Sequence, residues 1–205
     1  MSFLPQSSLR ALGQTLFPGE AFEPSLLNQA SYDLRLGEEY FLVGTESPQR
    51  LTEGEPYLCL PPGQFALLTT YETVDVPESL IGFISVRTQF KLQGLVNISG
   101  FHVDPTFKGT LQFAVQNLSS NDIRLKFKEP TFTIFFADLS DGAIGKHRNP
   151  DRNGISLKHV QMFGGNSVTI ANLHKEVDRL RMLITIYGGI AAAAVVGILI
   201  KILLK

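Results

Sequence analysis

The sequence of 205 residues predicts an all-β domain followed by a C-terminal stalk and a transmembrane helix. Three observations carry the prediction. Residues 1 to 165 hold short apolar–polar alternations instead of long helical periodicity, Gly and Pro punctuate them, and the apolar residues that lift mean hydropathy to +0.11 crowd the C-terminal end. Many short strands with turn-rich joints argue a distorted β-barrel or a jelly-roll-like pair of sheets.

In chain order, Ser8 to Leu16 suits a short helix. Strands are expected at Phe65 to Thr69 behind Pro61-Pro62-Gly63, at Leu80 to Val86 behind Pro77, and at Phe132 to Phe136 behind Glu129-Pro130. Between the last two, Leu111, Phe113 and Val115 alternate with polar or small neighbours, as do Ile123, Leu125 and Phe127. Asn117 to Asp122 supplies turn chemistry, so these two runs are expected to form a hairpin. Lys146 to Asn153 is polar and turn-rich, a loop, and Phe163-Gly164-Gly165-Asn166 is a linker.

The boundaries expected are a β domain over 1–165, an amphipathic stalk helix over 167–182 and a transmembrane helix over 183–204. Ile170, Leu173, Val177, Leu180, Ile184 and Tyr187 follow alternating spacings of three and four, a heptad seam that fits either a self-associating stalk or one face packed on the domain. Met182 to Ile200 carries no charge; some twenty residues at about 1.5 Å each reach roughly 30 Å, the depth of a bilayer's hydrocarbon core. Gly189, Ala193 and Gly197 place a small residue at every fourth position, which lets helices approach closely in lipid. Arg179 and Arg181 precede the span while Lys201 and Lys205 end it, so charge asymmetry does not orient it. With no signal peptide visible, the expectation is a single-pass C-terminal tail anchor and a cytoplasmic N-terminal domain.

Composition excludes several functions. The 18 basic residues meet 19 acidic ones, a net charge of −1, which gives nucleic acid no electrostatic footprint. Without Lys201 and Lys205 the balance is 16 against 19, a mildly acidic domain. Cys59 is the only cysteine, so there is no intrachain disulfide and no cysteine-built zinc site.

Three stretches, in order, resemble one family. Ser31-Tyr32-Asp33-Leu34-Arg35-Leu36-Gly37 is similar to the first motif of the dCTP deaminase branch of the dUTPase superfamily. Pro61 to Leu95 resembles its proline-glycine strand entry and Arg-Ser-Ser/Gly segment, and Val103-Asp104-Pro105-Thr106-Phe107-Lys108-Gly109 with Asn117 resembles its Asp-Pro motif. The resemblance covers roughly residues 1 to 140. It implies a dUTPase-like distorted barrel, a homotrimer with sites between subunits, and deoxypyrimidine triphosphates as ligands. It also implies Mg²⁺ arriving with the nucleotide, and no zinc, since the P-C-x-x-C pair of zinc deaminases is absent.

Hydrolytic deamination needs a shielded carboxylate that shuttles a proton from water to the leaving amine. The family's glutamate corresponds to Ala114, and a methyl group moves no protons; Glu129 is the next carboxylate downstream. Diphosphohydrolysis needs a water oriented at the α-phosphorus and neutralised phosphate charge. By resemblance Asp104 orients that water as the catalytic residue, and Arg87, Thr88 and Gln89 form the phosphate segment, with Gln89 bulkier than the usual serine or glycine. Phe107 would pack on the deoxyribose, while Asp33 either lies near the metal-triphosphate or fixes its own strand. Thr133 stands near the place of a family glutamine, the glycine-rich arm is not recognisable, and His102, His147, His159 and His174 show no ligand spacing. Two functions follow: a membrane-anchored nucleotide-binding trimer with residual dUTP or dCTP diphosphohydrolase activity, or an inactive trimeric scaffold or nucleotide sensor.

Overall fold

Strict in–out alternation on one strand shows how the domain is assembled. Along β8 (Lys108–Asn117), Leu111, Phe113 and Val115 are buried while Thr110, Gln112, Ala114 and Gln116 face the other way. The computed structural model describes residues 2–19, 21–140, 154–163 and 170–203. Before β8 the chain forms α1 (Gln6–Leu16), β1 (Tyr32–Leu42), β2 (Gln49–Arg50), β3 (Tyr57–Leu60), β4 (Phe65–Asp75), β5 (Leu80–Val86), α2 (Thr88–Leu92), β6 (Leu95–Asn97) and β7 (His102–Val103). After it come β9 (Ile123–Lys126), β10 (Pro130–Asp138), α3 (Leu157–Phe163) and α4 (Ile170–Leu203).

Eight strands make one mostly antiparallel curled sheet in the order β6-β8-β4-β1-β10-β5-β7, with β2 added on β1. The hydrogen-bond path stays open between β6 and β7, so the expected barrel is a half-barrel. Its concave side holds the core: Leu34, Leu36, Leu68, Phe113, Phe132 and Ile134 are fully buried, and the rings of Phe113 and Phe132 stack at 3.8 Å. Helix α1 closes one end, burying Leu9 and Leu16 at the helical spacing of seven. Where β1 and β4 lose register, Gly37 meets the Thr70 backbone carbonyl so closely that a Cβ at 2.6 Å has no room.

The expected hairpin does not form. β8 pairs with β4 and β6, whereas β9 pairs with β3 in a separate two-stranded sheet, Leu60 opposite Ile123. Asn117 is the cause. Its buried amide donates to the carbonyls of Leu60 (2.7 Å) and Asn121 (2.8 Å), and its Oδ1 accepts from Ser119, so the turn is fastened to β3. β4 runs to Asp75, beyond the apolar run that signals it, because its polar half is also paired with β8. The Lys146–Asn153 loop and most of the Phe163–Asn166 linker lie outside the described residues.

The chain divides into two units, Met1–Ser167 and Val168–Lys205. In the second, α4 is one continuous helix of 34 residues through the expected stalk and span. Leu173, Val177, Leu180, Ile184 and Tyr187 are exposed along it. The stretch Glu176–Ile202 is long and apolar enough to cross a bilayer, with hydropathy 2.4.

One ion pair is built into the β1–β4 layer. Glu72 is completely buried, and its carboxylate accepts from Arg35 Nε (2.7 Å) and the Arg35 backbone N–H (2.8 Å). Burial pushes the Glu72 carboxyl up from the ordinary carboxylate range, and the hydrogen bonds from Arg35 pull against that rise. Arg35, only 14% exposed at its side chain, also reaches Glu23 and the Ala21 carbonyl and lies over the Tyr71 ring. Arg35→Leu, which strands a buried carboxylate, is expected to cost about 3–5 kcal/mol, and Glu72→Gln markedly less. Urea unfolding followed by Tyr fluorescence checks this, the chain having no Trp; equal losses would contradict it.

Candidate functional site

The residues expected to act separate into two cavities. The first, about 200 Å³, is lined by Asp104, Phe107, His102, Ile84, Thr110 and Gln112 among others. Asp104 sits in a turn whose Phe107 N–H donates to the Asp104 carbonyl (3.2 Å), with Pro105 at its second position and Thr106 at φ +62°. That is the pattern of a type II turn, in which the third position favours glycine. The turn is fixed from β4's end: Thr106 N–H donates to the Val76 carbonyl (2.8 Å) and Val76 N–H to the Phe107 carbonyl (2.9 Å). Phe107 is half-buried against the core, and the Asp104 side chain is 59% exposed.

His102, to which the sequence assigned no role, stands beside Asp104 with Nε2 3.3 Å from Oδ1. The signal was available: two residues apart in extended chain, both side chains fall on one side. Gln112, also missed, lines the same cavity from β8.

The second cavity, about 300 Å³, is lined by Asp33, Arg87, Thr88, Gln89, Thr133 and Phe135 among others. Here the partners satisfy each other. Arg87 Nε lies 3.1 Å from Asp33 Oδ2, Thr133 Oγ1 donates to Asp33 Oδ1 (2.9 Å), and Arg87 Nη1 donates to the Pro130 carbonyl (3.2 Å). Of the two roles open to Asp33, this geometry matches the one that fixes its strand. Thr88 and Gln89 open α2 and are exposed, so the bulk of Gln89 lies at the cavity mouth and not in the fold.

The cavities share no lining residue. Position along β5 explains why: Arg87 follows the last residue of the strand, whereas Asp104 follows Val103, which pairs with Gly82 in the strand's first half. At about 3.3 Å per residue the two lie on the order of 15 Å apart along the strand.

Position 114 carries no chemistry. Ala114 lies opposite Leu67 and packs in a small apolar cluster with Phe41, Ile155 and Val160. Glu129 does not substitute for a glutamate there; its carboxylate accepts the Lys126 N–H in the β9–β10 turn (3.1 Å). Among the described residues no group of three His, Cys, Asp or Glu could hold a metal ion.

A curled, mostly-β sheet carrying an Asp-Pro turn and an Arg-Thr segment places the domain in the deaminase and dUTPase class. Within that class the chain belongs to the dCTP deaminase-like family, whose model matches residues 4–139. A dCTP deaminase of Pyrococcus horikoshii is 32% identical over 122 residues, 60% of this chain and 76% of the relative. One of Thermococcus kodakarensis is 31% identical over 144 residues, 70% of this chain and 88% of the relative. In fold, the chain is similar to the 2′-deoxycytidine 5′-triphosphate deaminase of Agrobacterium tumefaciens. The TM-score is 0.55 at 16% identity, over 65% of this chain and 48% of that one.

Thr106, a β-branched residue, takes a left-handed backbone in a turn that is pinned to Val76. Thr106→Gly is expected to raise stability by about 0.5–1 kcal/mol, the relief of strain exceeding glycine's added chain entropy. Urea unfolding measures it, and a loss of stability would contradict the strain.

Proposed function

We propose that this protein binds a deoxypyrimidine triphosphate at sites completed by two copies of the chain, and that it does not deaminate the base. The observation that carries the reading is the separation of Asp104 and Phe107 from Arg87, Thr88 and Gln89 into cavities that share no lining residue and lie toward opposite ends of β5. A second copy that presents its Arg87 side to the first copy's Asp104 side would bring both sets to one ligand. A closed homotrimer supplies that arrangement three times over. An exposed aromatic face is present for such packing: Phe3 and Phe101 are 56% and 65% exposed and cluster with Phe83, which also adjoins the Arg87 cavity's Phe135 through Phe3.

The chemistry left to the site is narrow. Deamination lacks its proton shuttle, because the methyl of Ala114 stands in the place of a carboxylate. Asp104, exposed and beside His102, can orient a water toward the α-phosphorus, whose attack releases pyrophosphate and the monophosphate. Arg87 would have to exchange Asp33 for phosphate, a guanidinium suiting either partner. Mg²⁺ would neutralise triphosphate charge and come with the nucleotide. The second reading, a sensor without turnover, is favoured by the apolar packing at Ala114.

The apolar stretch of α4 supports anchoring in a membrane as a single-pass span, with the β domain on the cytoplasmic side and the heptad residues aiding self-association. The test uses the full chain in detergent with dCTP, dUTP and dTTP plus Mg²⁺, products resolved by ion-exchange chromatography and binding measured on the same sample. Nucleotide binding without conversion of dCTP to dUTP is expected, and any monophosphate release should fall about a hundredfold or more in Asp104→Asn. Formation of dUTP from dCTP would overturn the reading of Ala114; no binding by any chain, wild-type or variant, would leave only a structural scaffold.

A further inference from the structure

Gly154–Phe163 lies beyond residue 139, where the family match ends, yet it is part of the β domain. It is laid on the outward face of β1, β4 and β8. Register aligns Phe41, Leu67 and Ala114 in one row across these strands, and Ile155 and Val160 are buried on that row. Two residues along each strand the row is polar: Glu39, Thr69 and Gln112, with the Thr69 hydroxyl donating to the Glu39 carbonyl (2.7 Å).

The polar row grips the segment by its backbone. The Glu39 carboxylate accepts the Ile155 N–H (2.7 Å), the Gln112 amide donates to the Gly154 carbonyl, and the Gly154 N–H donates to the Thr110 hydroxyl (3.2 Å). Gly154 sits at φ +77°, and a Cβ there would run into the Glu39 carboxylate, so the grip requires glycine. A glutamate at 114 would bury its charge against Ile155 and Val160, so alanine is the residue this packing needs. Thr110 and Gln112 are also walls of the Asp104 cavity. Two of the side chains open to a ligand there are therefore also the ones that hold Gly154.

We infer that Gly154–Phe163 is an autoinhibitory strap, latched on Thr110 and Gln112 and seated over Ala114, which competes with a nucleotide for the Asp104 cavity. The inference rests on the nucleotide reading above. It makes binding and strap release opposite sides of one equilibrium.

The test compares the full chain with its Ile155→Asp/Val160→Asp variant, both in detergent, measuring dUTP and dCTP binding by equilibrium dialysis and amide hydrogen exchange across 154–163. The unseated variant is expected to bind about tenfold tighter or more, since the wild-type chain is mostly closed. Saturating nucleotide should raise exchange at Ile155 about tenfold in the wild-type chain. Gly154→Ala keeps the apolar seat and should give the same tighter binding, with a Tyr fluorescence melt showing that either variant is folded. Binding by the variant alone would support the strap strongly. Equal binding by all chains with unchanged exchange would overturn the strap and leave the nucleotide reading standing. Binding by no chain would overturn the nucleotide reading and the strap with it.

Discussion

The run of β5 between the Asp104 turn and Arg87 limits what a single chain can bring together. β7 pairs with the first half of β5 and Arg87 leaves its far end, so the Asp104 turn and the Asp33–Arg87 pair are held apart in two cavities. No side-chain rotation removes that separation, since moving either set would require shifting the strand register and exposing the core row. The chain therefore carries two half-sites, each internally satisfied: Arg87 by Asp33, and Asp104 beside His102. On the proposed reading, assembly is the step that brings the two sets to one nucleotide.

The outward face of β1, β4 and β8 follows a second logic. A row of apolar side chains beside a row of hydrogen-bonding ones matches a segment that offers Ile155 and Val160 next to the backbone of Gly154. Alanine at position 114 and the segment packed over it fit one another. Such a face can bury a segment only when no charge must be desolvated beneath it.

Much of the fold was legible because one face of each strand is buried. Leu111, Phe113 and Val115 announced β8, Leu80 to Val86 and Phe132 to Phe136 announced β5 and β10, and the family resemblance placed Asp104, Arg87 and Ala114. What was not legible depends on partners distant in sequence. The pairing of β9 with β3 is decided by one buried asparagine, which reads in sequence as an ordinary turn residue. Both faces of Leu67 and Leu68 on β4 are covered because the strap lies over one of them, and its few apolar residues carry no periodicity strong enough to announce it. The mutual capture of Asp33 and Arg87 joins residues 54 positions apart, for which the sequence offers motif membership but no geometry.

The most direct test of a site completed between chains is complementation. Asp104→Trp chains, whose indole fills the Asp104 cavity, and Arg87→Ala chains, each with its own affinity tag, are co-expressed at full length and the mixed oligomers isolated through both tags. Each variant alone should bind no nucleotide, while a mixed trimer carries one interface with both side chains intact and should recover about one site in three. Mixed oligomers that recover no binding, or single variants that bind as well as the parent, would contradict a shared site.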